Sequence, residues 1–282
     1  MAGPALTPFA ALRDFASGVV VVAHKEDTTE LVSALTRDGF KVDEVRGPYT
    51  SEQLAYTGSM KCLVNHSNAW RIAASRSLPT IIVEADFVPV RGFANLPAPV
   101  PPGRETDSLA YLYSVGPEIW DLATPVIARA RCASTVAMLI PPKVAAMLLE
   151  FFDEQVADDP AGEYRPWDSS LGYWLLARGV QSYLPYRHYG EHGGLGNPEH
   201  ARFGLGRIHR ADALIGRLAF LPVYAQGKRW MLWRGRLRGR IWGILRLVTG
   251  RLLRWHDFAR ARGKRAELLR FAVGRLFVRA PR

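Results

Sequence analysis

Residues 18–45, GVVVVAHKEDTTELVSALTRDGFKVDEV, carry the pattern that decides the fold class. Gly18 to Ala23 is a short β-branched apolar run that reads as a buried strand. Thr28 or Thr29 can cap a helix running through Leu31, Val32, Leu35 and Thr36 and ending at Gly39. Phe40 to Val45 then alternates as a second strand. A strand, a helix and a strand in so short a stretch open an α/β domain with a parallel sheet.

Working outward, Ser59 to Ser75 reads as a helix, and Thr80-Ile-Ile-Val83 as a buried strand that runs directly into Glu84-Ala85-Asp86. Asn95 to Asp107 is a Pro-rich irregular loop. Leu109 to Val115 and Ser134 to Ile140 read as strands, and Pro141-Pro142 opens a helix from Lys143 to about Val156. Ser169 to Arg178 is a further helix stopped by Gly179, Val180 to Leu184 a last strand, and Tyr186 to Gly206 a loop rich in His and Gly.

The chain has 282 residues, enough for one large domain and an appendage, and its 48% hydrophobic and 22% charged residues argue against overall disorder. Two cysteines, Cys62 and Cys132, make neither a disulfide framework nor a zinc motif, so they read as small core residues in a reducing compartment. The first 18 residues lack a basic n-region, and no window is apolar enough to span a bilayer, so a cytoplasmic location is expected. The net charge of +11 is uneven. From Leu205 to Arg282 there are 20 Lys and Arg against 3 Asp and Glu, while the remaining residues hold 17 basic and 23 acidic side chains. A mildly acidic body with a strongly basic tail points to an anionic surface as partner.

Glu84-x-Asp86 at a strand end is the most chemical feature of the body. In open α/β sheets ligands gather at the carboxyl ends of strands, and oxygen-only ligands suit Mg²⁺ or Mn²⁺ shared with phosphate. The preceding stretch, Gly58-Ser-Met-Lys-Cys-Leu-Val-Asn-His66-Ser-Asn-Ala-Trp70, followed by Thr80-Ile-Ile-Val-Glu-Ala-Asp86, resembles glycosyltransferase family 25. That family has a helix patterned Gly-x-x-Gly-Cys-x-x-Ser-His-x-x-x-Trp before a strand ending in Glu-Asp-Asp. Cys62, His66 and Trp70 keep the helix spacing; Asn65 stands where the family has Ser, and Ala85 replaces the middle acid. The resemblance extends loosely to about residue 205, where Pro166-Trp167-Asp168 is similar to a later Pro-x-Asp element. It implies a GT-A fold over residues 1–205, a nucleotide-diphosphate sugar as donor, and inverting transfer by one in-line displacement. It also implies a divalent metal, Mn²⁺ or Mg²⁺, on Asp86 with Glu84 beside it.

An inverting transfer needs a general base, and Asp168 is the candidate, with helix capping as its structural alternative. Tyr186 to His200 holds three His, two Glu, an Arg and four Gly, a composition suited to a diphosphate-facing loop. Within it His192 is the candidate metal ligand, since GT-A enzymes often supply a late His; His188 and His200 are alternatives, and Glu191 is a further donor-site candidate. His24 and Lys25 follow the first strand, where such folds receive the nucleotide, and His66 is drawn toward the site by the resemblance, with Trp70 as core. A nucleotidyltransferase would need a Gly-rich triphosphate loop after the first strand, and none is seen.

In the tail, residues 206–282, the stretch Lys228 to Phe258 reads KRWMLWRGRLRGRIWGILRLVTGRLLRWHDF. Trp230, Trp233, Leu237, Ile241, Ile244, Leu245, Val248, Leu252 and Trp255 recur at helical spacing, as one apolar stripe of a helix about 40 Å long. Arginines flank it, four glycines weaken it, and Leu268 to Val278 repeats the pattern with Phe271 and Phe277. Trp-rich stripes flanked by Arg describe helices lying in a membrane interface. Nucleic acid would leave Trp233, Ile241 and Leu245 without a role, and the structural alternative packs the stripe against the body or a second subunit. The expectation is therefore a transferase acting on a glycan or lipid-linked acceptor from the inner face of the cytoplasmic membrane. The alternative is a non-catalytic membrane subunit with a degenerate transferase fold.

Overall fold

The computed structural model describes residues 9–196, 198–204, 209–225, 227–260 and 263–277, without the side chains of His200 and Trp255. The described strands are β1 (Val19–Val22), β2 (Val42–Val45), β3 (Thr80–Glu84), β4 (Phe87–Pro89), β5 (Ser108–Tyr111), β6 (Glu118–Thr124), β7 (Ile127–Arg131), β8 (Ala137–Ile140), β9 (Gln181–Pro185) and β10 (Gly190–His192). The helices of the body are α1 (Leu12–Phe15), α2 (Thr29–Arg37), α3 (Gly58–Ala74), α4 (Pro142–Asp158), α5 (Trp167–Ala177) and α6 (Pro198–Arg202). Towards the C-terminus follow α7 (Arg229–Val248), α8 (Trp255–Arg260) and α9 (Arg265–Phe277).

Eight strands form one mixed sheet in the order β2-β1-β3-β8-β5-β9-β7-β6, and β4 pairs with β10 in a separate ribbon. β1 is parallel to both neighbours, with Val22 opposite Val45 and Glu84. This part, with α2 and α3 as the crossovers, is compatible with a Rossmann-like arrangement. Antiparallel pairs take over at β3–β8 and again across β8–β5 and β9–β7–β6. Both faces of the sheet are covered: Val20 and Val22 join one apolar cluster, Val19 and Val21 the other. That is why β1 is an unbroken valine run, since each successive side chain enters a different half of the core.

The sequence-based elements of the body are all present, displaced by a few residues at their ends. The β6–β7 hairpin was not anticipated; its bulged pairing blurs the alternation of Glu118 to Thr124. The loop expected over Tyr186–Gly206 contains β10 and α6, and its residues 197 and 205–206 lie outside the described ones.

The tail departs from expectation in two ways. The single helix over Lys228–Phe258 is instead α7, about 30 Å long, followed by a reversal and the short α8. Gly250 has φ +70°, a left-handed conformation that ends the helix, and Leu252 then hydrogen-bonds its carbonyl to the Ile119 amide at the edge of β6. Nor does the boundary expected at residues 205–206 separate two cores. Leu252, Leu253, Leu268, Phe271 and Ala272 belong to the cluster that contains Trp70 and Tyr111, because burying them stabilises the otherwise open β6 edge. Val278, the end of the second expected tail segment, lies outside the described residues.

Candidate functional site

α3 positions the ends of the parallel strands. Thr57 caps it by accepting the Met60 amide, and the helix runs with Ser59, Asn65, His66 and Ser67 all buried. Asn65 is the clamp: its side-chain amide donates to the Ala23 carbonyl and to the Tyr49 hydroxyl, each at 2.8 Å, and its oxygen accepts the Gly47 amide at 2.8 Å. Three bonds from one side chain hold the ends of β1 and β2 against the helix. This is the position at which the family-like motif departs from Ser.

On the same helix the chemical groups are Cys62, about one turn before Asn65, and His66, the next residue after it. His66 is fully buried between Trp70 and Trp167, and its Nε2 lies 3.2 Å from Glu84 Oε1. The Thr135 hydroxyl donates to the same Glu84 oxygen at 2.6 Å. With Nε2–H donating to Glu84, His66 Nδ1 is left buried without a hydrogen-bond partner. Burial raises the Glu84 carboxyl, but the His66 hydrogen bond, the His66 and His192 charges and Thr135 outweigh it and hold it below its usual range. Cys62, four residues before His66, is half-buried and packs against the core cluster that contains Trp70. One ligand atom each from Cys62, His66 and Glu84 lie within 4.8 Å of one another, a group that could hold a metal ion. Burial and the carboxylates of Glu84, Asp168 and Asp86 push the Cys62 thiol well up, so it is no ready nucleophile.

Asp86 follows in the turn between β3 and β4. Its Oδ2 lies 2.8 Å from His192 Nε2, and its Oδ1 is buried with no hydrogen-bond partner. His192 arrives through the β4–β10 ribbon, where it sits opposite Phe87. Burial lowers the His192 pKa, but the Asp86 charge and hydrogen bond and the Glu84 charge outweigh it and raise it to about 9. Paired with Asp86 the imidazolium is therefore the neutral-pH form, and a metal ion at Nε2 would have to displace that proton. The Gly193 amide donates to the Asp86 carbonyl at 2.7 Å, and a side chain at Gly194 would collide with the Asp86 carboxylate. Those two glycines are needed for close approach.

Asp168 sits in the first turn of α5, with Oδ1 accepting the Ser169 amide at 2.8 Å. Trp167 docks that turn onto α3 by donating its indole N–H to the Ser59 carbonyl at 3.0 Å. Trp167 also packs edge-on against His66, with ring centroids 5.3 Å apart, which brings the start of α5, and Asp168 with it, towards the His66 end of the site.

The remaining expected residues divide. His24 and Lys25 are exposed just past β1; His24 Nδ1 meets the Tyr49 hydroxyl at 2.9 Å, and both backbone amides bond the Glu26 carboxylate. His188 does not join the acid pair. It is buried, its Nδ1 accepts the Ser114 amide, and its Nε2 lies 2.9 Å from Asp212. Glu191 alternates with His192 along β10 and points into the protein: Oε1 accepts the Ala211 amide, Oε2 has no hydrogen-bond partner, and burial raises its pKa to about 7. The side chain of His200 lies outside the described residues.

Three residues that sequence reasoning missed support this arrangement. Arg210 donates to the carbonyls of His192 and Gly194 and lies over the Tyr224 ring, 3.6 Å from its centroid. The Ala211 amide holds Glu191, and Asp212 pairs with His188 and with the fully buried Arg275 at 2.9 Å. No local motif marks Arg210-Ala-Asp212, since each acts through a different distant element. A concavity of about 690 Å³ along α2, lined by Thr28, Val32, Thr36 and Glu44 among others, includes none of these groups.

For a divalent ion the donors fit: the orphaned Asp86 Oδ1 and the nearby Glu84 supply hard oxygens, and Cys62 and His66 offer softer sulfur and nitrogen. No protein-family model and no curated protein matches the chain.

Proposed function

We propose that the chain is an inverting glycosyltransferase with a GT-A-type sheet, moving a sugar from a nucleotide-diphosphate sugar to a glycan or lipid-linked acceptor in cell-surface polysaccharide or lipopolysaccharide synthesis. The observation that best supports this reading is the convergence of Glu84, Asp86, His66 and His192 at the carboxyl ends of β1 and β3, with Asp168 adjacent to Trp167, which packs on His66. Asp86 and His192, with Glu84 beside them, would hold Mn²⁺ or Mg²⁺, which when bound would offset charge growing on the leaving diphosphate. His24 and Lys25, exposed past β1, would meet the nucleotide. The Asp168 carboxylate takes the acceptor hydroxyl proton as that oxygen bonds the anomeric carbon. The bonding pair of the old glycosyl–phosphate bond departs with the nucleoside diphosphate. The working place would be the inner face of the cytoplasmic membrane; no described helix is long and apolar enough to cross one.

Two observations favour a second reading, a non-catalytic membrane-associated subunit: Ala85 removes one acid, and His192 already occupies one oxygen of Asp86. Thermal melts with a panel of nucleoside diphosphates and nucleotide sugars, each with Mn²⁺, Mg²⁺ or EDTA, separate the two. A ligand at 100 times its Kd stabilises by about 2.7 kcal/mol. The expected result is a rise with one nucleotide class that EDTA removes, and loss of both rise and transfer in a cooperatively melting Asp86→Ala. No rise with any nucleotide, or full transfer by that variant, overturns the enzyme.

A further inference from the structure

α7 is seated on the body by its glycines and turns its large apolar side chains outward. Only Gly239 and Gly243 of its twenty residues are buried. A Cβ built on Gly235 would lie 2.8 Å from the Tyr224 ring, on Gly239 2.5 Å from the Ala211 carbonyl, and on Gly243 2.7 Å from the Asp212 side chain. At about 100° per residue these glycines form one stripe, and Trp230, Trp233, Leu237, Ile241 and Val248 form the opposite one. That opposite stripe is exposed, with Trp233 at 74%, Val248 at 72% and Leu237 at 62%. Helices on globular bodies ordinarily face the other way, and a row of exposed large apolar side chains this long marks an interaction surface.

Charge identifies the partner. α7 carries six arginines and no acidic residue. Arg234 and Arg238 are exposed along one flank of the apolar stripe; Arg229, Arg236 and Arg240 follow the other. α9 adds a second exposed row, Leu269, Val273 and Phe277 at spacings of four. A second protein or a second copy of this chain would have to supply acids along both flanks, and the tail itself holds only three acidic residues. A bilayer with anionic headgroups supplies apolar depth in the centre and negative charge on either side, and a helix with this many arginines lies along it.

We infer that the outward face of α7, centred on Trp233, Leu237 and Ile241, is a docking surface for an anionic phospholipid bilayer. The helix is a rigid platform, because residues 210–212 connect its glycine seat to His192, Glu191 and His188. Bilayer contact through α7 therefore sets the orientation of the acid-pair site relative to the membrane. This surface does not depend on the sugar-transfer reading, and its test needs no donor.

The experiment is flotation of the full chain with vesicles of phosphatidylcholine alone or with phosphatidylglycerol at about 30 mol%, at low and high salt. The wild type should float with the anionic vesicles only and detach as salt rises. Trp233→Ser combined with Leu237→Ser should lower partitioning by about tenfold or more while its thermal melt stays unchanged, because neither side chain is part of the core. Brominated lipid should quench tryptophan fluorescence in the wild type and less in the variant. Asp86→Ala should float as the wild type does, which keeps this test separate from that of the enzyme. Failure to float at low salt overturns the proposal. So does a dimer by light scattering that the same two substitutions disperse, since the face would then be a self-interface.

Discussion

α3 and α7 depart from the apolar-inside rule in opposite senses. α3 buries Asn65, His66 and Ser67 in the middle of the protein; α7 buries glycines and exposes tryptophan, leucine and isoleucine. In α3 two of the buried polar groups are partnered at strand ends, Asn65 on β1 and β2 and His66 on Glu84, while Ser67 donates back to the Val64 carbonyl of its own helix. Their desolvation is offset by hydrogen bonds, so the helix spends its inward face on positioning. In α7 the inward face is spent on close approach, and the apolar groups are left for something outside the chain. One helix builds the site and the other presents the molecule.

The comparison can be broken first at its shared base. Asp212 lies beneath Gly243 and pairs with Arg275 and His188. Replacing Asp212 with Asn leaves the Arg275 guanidinium buried beside a neutral group and should cost about 3 kcal/mol or more in urea unfolding. The Arg275 and His188 charges hold the Asp212 carboxyl far below its usual range, against the burial that would raise it. Stability from such a depressed group is present above the unfolded pKa and is lost as pH falls below it. Wild-type stability should therefore decline on acidification below about pH 4, and Asp212→Asn should flatten that limb. His188, lowered by burial and by Arg275, adds a decline of the same sign below its unfolded value of 6.5. A variant with wild-type stability and an unchanged acid limb would remove the base from under α7.

Next is Asn65→Ala, which strands the Gly47 amide and the Ala23 carbonyl and leaves the Tyr49 hydroxyl with His24 as its partner. A loss of about 2–3 kcal/mol in urea unfolding is expected, with weaker protection of the β1 and β2 ends in hydrogen exchange. A loss below about 0.5 kcal/mol would mean that α3 is an ordinary packed helix.

The sharpest test is one of sign. On a free helix Gly239→Ala should stabilise α7 by about 1 kcal/mol. On the seated helix the new methyl meets the Ala211 carbonyl at 2.5 Å, so the melting temperature should fall. A rise would show that α7 is not seated on residues 210–212.

How much of this was legible before the fold was known differs between regions. The strand–helix–strand opening was readable because valine runs, caps and glycine stops act locally over Gly18 to Val45. Glu84 and Asp86 were readable as a pair because the end of a buried strand fixes where they lie. The separation of the histidines was not: His188, Glu191 and His192 look alike in one Gly-rich stretch, and only the β4–β10 ribbon sends His192 to Asp86 and Glu191 inward. Cys62 read as core because its spacing says nothing about Glu84, which approaches from another element.

For the tail, periodicity read one helix over residues 228–258 with an apolar stripe; the helix ends at residue 248, and Gly235, Gly239 and Gly243, read only as weak points, fall on the side opposite the stripe. Periodicity could not say which side faces in. Hydrophobicity favours burying the tryptophans, whereas contact with a nearby backbone requires glycine, and that choice depends on what the rest of the chain brings up to the helix. Residues 210–212 arrive as a backbone ridge carrying the Glu191 and His188 contacts, and only a surface without side chains can lie against it. The sequence determined the two faces, and the tertiary structure decided their direction by packing the glycines against that ridge.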